Sequence, residues 1–93
     1  MSSNIKYKFP DSELDYGFDW SRWLQKNESI ISSEWIIPDG LTKLSEGRTD
    51  KKTSVWLSGG IVNEQYKLIN NIETDSTPSR KNSAILYLII EEE

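Results

Sequence analysis

The side chains that could do chemistry in this 93-residue sequence are mainly carboxylates, because it contains neither histidine nor cysteine. Asp15 and Asp19 lie four positions apart in a stretch that alternates apolar and polar residues, which places both on one face of a strand. Such a pair could serve as general acid and general base in a hydrolysis. Ordinary solvated strand residues show the same spacing, and nothing in the pattern indicates a pocket around them. We therefore predict no catalytic residues and no enzyme activity.

Metal binding has equally little support in the sequence. The oxygen ligands that Ca²⁺ prefers are present as scattered carboxylates, but the D-x-[DN]-x-[DN]-G loop is absent. The carboxylates considered are Asp15, Asp19, Glu28, Glu34 and Asp39. The lack of histidine and cysteine also removes the usual ligands of zinc and other transition metals. The sequence predicts no metal and no cofactor.

The charge balance bears on the class of partner. The chain carries 15 acidic and 11 basic residues, a net charge of −4, which argues against a nucleic-acid backbone as the main partner. Two short basic groups, at positions 48–52 and 80–81, are typical of solvated loops. No apolar run approaches the length of a membrane span, and the first residues lack a secretion signal. We predict no nucleic acid, no membrane, and synthesis in the cytoplasm of the cell that makes the protein.

Four tryptophans offer flat apolar faces on which sugar rings could stack. At strand spacing, most aromatic residues belong to a core. The tryptophans are Trp20, Trp23, Trp35 and Trp56. A free-standing carbohydrate- or peptide-binding module that uses an exposed tryptophan is therefore the alternative function.

The elements that must position these residues are short strands. Residues 14–20 predict a strand whose core face carries Leu14, Tyr16, Phe18 and Trp20, with the carboxylates of Asp15 and Asp19 in water. A helical turn at 21–24 is expected to follow, capped by Asp19 or Ser21. Residues 28–37 predict a strand on which Ile31, Ser33, Trp35 and Ile37 share a face. The segment Pro38-Asp39-Gly40 predicts a turn.

The second half continues the pattern. We predict strands at 41–45 and 53–58, joined by an exposed loop at 46–52, and a turn or bulge at Gly59-Gly60. The pattern does not decide whether Trp56 or its neighbours Val55 and Leu57 face inward. The next strand places Tyr66, Leu68, Asn70 and Ile72 on its core face, and a loop at 74–82 leads to a last, antiparallel strand at 83–90.

Strands at these intervals predict an all-β fold, a single small antiparallel β-sandwich of about six to seven strands with one short helical turn. Residues 14–93 form the sandwich, and residues 1–13 form an N-terminal arm or a first edge strand. The predicted structural core includes Phe18, Trp20, Trp35 and Tyr66.

The last strand predicts a protein-binding surface because both of its faces are apolar. Something must cover its second face, either another part of this chain or a partner. Ile5, Tyr7 and Phe9 alternate near the N-terminus, as in an arm that adds as a strand to a neighbouring sheet, although an internal first strand fits equally well. The predicted interface residues are Ile5, Tyr7, Phe9, Ile85, Tyr87 and Ile89.

Several motifs carry a family resemblance. They are L-D-Y-G-F-D-W-S-R-W-L at 14–24, the segment 30–37 with Trp35, V-W-L-S-G-G at 55–60, and the alternation from Tyr66 to Thr74. In these motifs the chain resembles the phage fiber-tail adaptor family, small structural proteins of tailed phages. The resemblance covers most of the chain from Leu14 onward. It departs where Pro78-Ser79-Arg80-Lys81 replaces an expected glycine.

The resemblance implies an Ig-like sandwich carried in the virion and without enzyme activity. It implies a tail adaptor or collar component that links the tail or head-tail connector to fibers. Partners would be other virion proteins, and the adaptor would form a homo-oligomeric ring in the particle. Tyr66, shortly after the double glycine, looks like the corner tyrosine of Ig-like sandwiches.

Overall fold

The computed structural model describes residues 4–92, and the part of the predicted arm before residue 4 lies outside them. Those residues form seven strands and no helix. The strands are β1 (Asn4–Lys8), β2 (Leu14–Asp19), β3 (Ile30–Ile36), β4 (Leu41–Arg48), β5 (Lys52–Gly59), β6 (Gln65–Thr74) and β7 (Lys81–Ile90). The predicted all-β sandwich is confirmed.

Two sheets make the sandwich. One has four strands in the order β1-β7-β6-β3, and the other has three in the order β2-β5-β4. The strands β7-β6-β3 correspond to G-F-C of Ig-like sandwiches, and β2-β5-β4 correspond to B-E-D. Trp35 is buried on β3, the strand equivalent to C. The prediction of antiparallel pairing fails for one pair, because β1 runs parallel to β7. Parallel neighbours need a long connection, and here most of the chain separates the two strands.

The core lies between the sheets and follows the alternation of β6 and β7. Inward positions on these strands are buried, among them Leu68, Leu86 and Leu88, which are completely covered. On β5, Val55 and Leu57 face inward and Trp56 faces outward, which decides the orientation that the sequence left open. The core has two halves, one around Trp35 and a second around Trp20. Phe18 is half-buried and packs against both halves, and its ring stacks on that of Trp35 with centroids 5.6 Å apart.

A β-bulge changes the predicted faces of β3. The register against β6 shifts between Ile30 and Ser32, opposite Thr74 and Glu73. The extra residue turns Ile30 into the core and leaves Ile31 49% exposed. The prediction that Ile31 shares the face of Trp35 is therefore wrong.

The predicted loop at 46–52 is largely strand. β4 continues to Arg48 and β5 begins at Lys52, so only a tight turn separates them. Because β4 is an edge strand whose residues after Leu41 are all exposed, its polar sequence is compatible with a strand. The composition of this segment reports its exposure and not its backbone conformation.

The predicted helical turn is a hydrogen-bonded turn. The N–H groups of Trp23 and Leu24 both donate to the carbonyl of Trp20, at 3.0 Å each. Asp19 Oδ1 accepts from the N–H of Ser21 at 2.9 Å, so the expected cap is present. The turn places the buried Leu24 against the second half of the core.

Tyr66 fixes the loop before β6. Its hydroxyl accepts a hydrogen bond from the N–H of Ile61 at 3.1 Å, as a corner tyrosine does. This bond holds the chain just after Gly59 and Gly60, whose φ angles of 83° and 106° disfavour other residues. The ring is buried at the start of β6. Tyr66 thus connects the double glycine to the sheet.

We expect Tyr66→Phe to lower the free energy of unfolding by about 1 to 2 kcal/mol, because the N–H of Ile61 loses its partner. Urea denaturation followed by fluorescence measures the change. Tyr87→Phe is the control, since among residues 4–92 the Tyr87 hydroxyl has no hydrogen bond to the protein and the residue faces outward. Equal midpoints for the two variants would contradict the assigned role of Tyr66.

Candidate protein-binding surface

The outward side of the four-stranded sheet is apolar along β1 and β7, whereas Gln65 and Lys67 of β6 lie beside Ile89 and Tyr87 on the same side. Because the core takes alternate residues of β7, Ile85, Tyr87 and Ile89 face away from it. The register of β1 against β7 places Ile5 beside Tyr87 and Tyr7 beside Ile89. On the other side of β7, Ile85 lies beside Ile69 of β6, and Ile69 in turn lies beside Ile36 of β3. We call this set the outer apolar face: Ile5, Tyr7, Ile36, Ile69, Ile85, Tyr87 and Ile89.

Strand β1 turns apolar residues toward water and a charged residue toward the protein, the reverse of what a strand with one face in water usually does. Its apolar residues point outward, with Ile5 58% and Tyr7 56% exposed, while Lys8 is buried. The Lys8 ammonium donates to the carbonyls of Gly59 at 2.7 Å and Phe9 at 2.8 Å. Burial lowers the pKa of Lys8, against the opposing charges of Asp11 and Glu13.

Backbone pairing and Lys8 therefore hold β1 on the sheet. The exposed side chains of Ile5 and Tyr7 add little to the core, so the fold gives no reason for them to be apolar. An exposed apolar set that spans four strands is typical of a binding site, whereas scattered apolar residues are normal on a surface.

A small notch continues the outer apolar face around the edge of the sandwich. Its volume is about 160 Å³, and Tyr7, Phe9 and Leu14 provide its apolar walls. Phe9 is 42% and Leu14 45% exposed. The prediction that Leu14 faces the core with the rest of β2 is wrong, because it lies at the end of the sandwich, where no strand covers it. The Tyr16 hydroxyl donates to the carbonyl of Tyr7 at 3.3 Å and links β2 to β1 beside the notch.

The opposite end of the same sheet face is polar. It holds an open depression of about 690 Å³ whose lining includes Glu34, Asn71, Glu73 and Lys81. Asn71 bonds to Ser83 across the β6–β7 pair. The face is therefore divided, with its apolar part around β1 and β7 and its polar part around the ends of β3 and β6.

The structure brings the predicted interface residues together. Ile5, Tyr7, Ile85, Tyr87 and Ile89 lie on one face, and Phe9 lies at its edge. Of the predicted core residues, Trp20, Trp35 and Tyr66 are buried, and Phe18 is half-buried.

Sequence reasoning missed Ile36 and Ile69 on the outer apolar face. The alternation of β6 already placed Ile69 opposite the core, so a signal for it was present. The predicted strand at 28–37 likewise placed Ile36 opposite Trp35, and only the pairing with β6 shows that Ile36 lies beside Ile69.

Of the candidate chemical groups, Asp15 and Asp19 line one open depression together with Arg48 and Lys52. Asp15 and Asp19 are exposed on β2, and hydrogen bonds from Ser21 hold the pKa of Asp19 below its usual value. Within residues 4–92 no group of three or more acidic side chains is placed to hold a metal ion. Two of the candidate basic residues bind within the chain, since Arg48 donates to the carbonyl of Ile30 and Arg80 pairs with Glu28. In the same range no helix is long and apolar enough to cross a membrane.

Comparison with known proteins gives one family. A family model described as "Podophage GP4 fiber-tail adaptor protein gp77" matches residues 8–87, which are 80 of the 93 positions. No curated protein matches the chain.

Proposed function

The chain belongs to the podophage fiber-tail adaptor family, whose members are structural proteins of the virion, and we propose that its outer apolar face is the surface with which it holds another virion protein. The partner is a subunit of the tail, the head-tail connector or a fiber. The adaptor links these components by protein–protein contacts and carries no catalytic site.

The observation that carries the proposal is the reversed strand β1. A strand with one face in water usually turns its apolar residues inward and its polar residues outward. Here Lys8 is buried, whereas Ile5 and Tyr7 are more than half exposed. A partner that covers the outer apolar face removes this apolar surface from water, and hydrophobic burial then drives the association.

We further propose that several copies assemble as a ring around the tail, after synthesis in the host cytoplasm. Repetition around a closed ring adds weak contacts together, because each bound copy raises the effective concentration of the next contact. The notch at Tyr7, Phe9 and Leu14 supplies a recess at the edge of the contact, where one apolar side chain of a neighbour can enter.

The test is the double variant Ile5→Lys/Tyr7→Lys. We expect it to fold normally and to bind its partner at least 30-fold more weakly, since charges at the centre of an apolar contact are costly to desolvate. Binding is measured by interferometry against the purified tail, connector and fiber proteins of the same phage. Ile61→Lys is the matched control, because Ile61 is 62% exposed but lies in the loop after Gly60, off this face.

Wild-type affinity in the double variant would contradict the proposal that this face binds a partner. Loss of binding by Ile61→Lys as well would show a nonspecific effect of added charge. Light scattering of the same samples reports whether the complex contains several copies of the adaptor.

A further inference from the structure

We propose that the outward side of the three-stranded sheet, centred on Trp56, is a second docking site, for a protein surface that presents a basic side chain beside an apolar recess. The proposal rests on the proposed function, since an adaptor that joins two components needs two surfaces. The two sheets of the sandwich turn their outward sides in opposite directions, and the molecule is only 18 Å across its shortest dimension. Two components bound in this way would be held close together on opposite sides.

Trp56 has no role in the core. Its neighbours on β5, Val55 and Leu57, are completely buried, and the alternation of the strand turns Trp56 outward, 44% exposed. Its partners in register are Asp15 on β2 and Ser45 on β4, neither of which offers an apolar surface to cover the indole. Trp20 and Trp35 contrast with it, since they are at most 5% exposed, and Trp23 is partly buried against the core.

Trp56 projects above the surface that surrounds it. Apart from Asp15, the outward positions next to Trp56 carry small side chains, so the indole stands above its immediate neighbours. These positions include Gly17, Ser45, Gly47, Ser54 and Ser58. An aromatic side chain that projects from small neighbours can enter a recess in a partner, and tryptophan is the residue most enriched at the energetic centres of protein interfaces. Leu44, at the bulge in β4, is 49% exposed and adds a second apolar group.

Charge indicates the chemistry of the partner. The two ion pairs among residues 4–92 join Lys43 to Glu46 and Arg80 to Glu28, so the carboxylate of Asp15 beside Trp56 has no cation of its own. A lysine or arginine on the partner would supply it.

A depression of about 440 Å³ begins at Asp15 and continues past Gly17. Asp15 and Asp19 line it together with Arg48 and Lys52, so it presents both signs of charge. Mixed charges fix the orientation of an ionic protein surface. A neutral saccharide would not need them, and the non-planar Leu44 gives a sugar ring no second stacking face. The observations therefore favour a protein.

The experiment compares Trp56→Ala with the Ile5→Lys/Tyr7→Lys variant against the purified tail, connector and fiber proteins, each assayed separately. We expect Trp56→Ala to weaken the binding of one component about 30-fold and to leave the other unchanged. The double variant should show the reverse pattern. Asp15→Asn should weaken the same component as Trp56→Ala and reduce the salt dependence of its binding.

We expect the Trp56 variants to fold, because Trp56 lies outside the core. Equal melting temperatures of the wild type and the variants verify this. Trp56→Gln serves as a second, polar variant. If the wild type binds two components and both Trp56 variants bind them with wild-type affinity, the second site is overturned and the adaptor function stands. If the wild type binds no component, the adaptor function fails, and the second site with it. A Trp56-dependent fluorescence response to oligosaccharides, without any effect on protein binding, would overturn the proposal in favour of a sugar site.

Discussion

Replacing Asn70 with leucine will lower the free energy of unfolding by about 3 kcal/mol or more, a large part of the 5 to 10 kcal/mol expected for a domain of this size. Asn70 is completely buried on β6. Its Oδ1 accepts hydrogen bonds from Thr53 Oγ1 at 2.6 Å and from Trp20 Nε1 at 3.2 Å. Its Nδ2 donates to Ser33 Oγ at 3.0 Å and to the carbonyl of Glu34 at 3.1 Å.

This one side chain therefore joins the two sheets through their polar groups. Leucine has the same branching, but it leaves the hydroxyl of Thr53 without its acceptor and the carbonyl of Glu34 without this donor. The indole N–H of Trp20 loses one of its two acceptors and keeps Thr53 Oγ1, at 3.3 Å. Each buried polar group that loses its partner costs about 1 to 3 kcal/mol. Leucine is also larger than asparagine, because methyl groups replace the amide oxygen and nitrogen, so overpacking adds to the loss of the hydrogen bonds.

Urea denaturation of Asn70→Leu and Asn71→Leu measures the effect. Asn71 is the matched control, since it is the next residue on the same strand and points outward, bonded to the exposed Ser83. We expect Asn71→Leu to change the free energy of unfolding by less than about 1 kcal/mol. A similar small change in both variants would show that the polar centre does not stabilise the sandwich.

The core side of β6 shows what the sequence predicts well. The alternation from Tyr66 to Thr74 is long and regular, and it placed Asn70 on the core face although asparagine is rarely buried. The tyrosine corner and the turn at Gly40 could be predicted equally well from the sequence, because local backbone requirements determine them.

The errors have a common physical cause. The bulge at Ile30 and the length of β4 depend on pairing between distant segments, and local composition carries no record of that pairing. The same holds for the parallel placement of β1 against β7.

The candidate surface was partly predictable for the same reasons. The two-faced pattern of β7 identified Ile85, Tyr87 and Ile89, since a strand that is apolar on both sides needs two covers. Trp56 could not be assigned from its own strand, because β5 is apolar at three successive positions and either face could be the inner one. Only the opposing sheet decides which side of such a strand is buried.

The second large effect concerns the buried carboxylate of Glu28, which is 3% exposed. Its oxygens accept from Arg80 Nε at 2.9 Å, from Thr74 Oγ1 at 2.6 Å and from the N–H of Gln25 at 2.8 Å. The Arg80 guanidinium also lies 4.1 Å from the ring centroid of Trp23, a cation–π contact. This group ties the loop between β2 and β3 to the connection between β6 and β7.

Arg80 is the main reason that the pKa of Glu28 lies well below its usual value; the other hydrogen bonds lower it further, against the effect of burial. Because the folded-state pKa is lowered, the carboxylate stabilises the fold fully above the unfolded pKa of about 4.3. That stabilisation is lost progressively as the pH falls below about 5.

Glu28→Gln should therefore lower the melting temperature at pH 7 by roughly 10 °C, because the variant loses the charge that Arg80 pairs with but keeps the shape of the side chain. The difference from the wild type should shrink as the pH is lowered from 5 to 3, since the unfolded wild type takes up a proton at Glu28 that the folded wild type does not, and acid therefore favours its unfolding. Thermal unfolding followed by circular dichroism over this range measures both effects. Glu34→Gln is the control, because Glu34 is exposed and its contact with Asn71 is long, at 3.5 Å. A constant difference between Glu28→Gln and the wild type at every pH would mean that packing, and not the charge of Glu28, holds the two loops together.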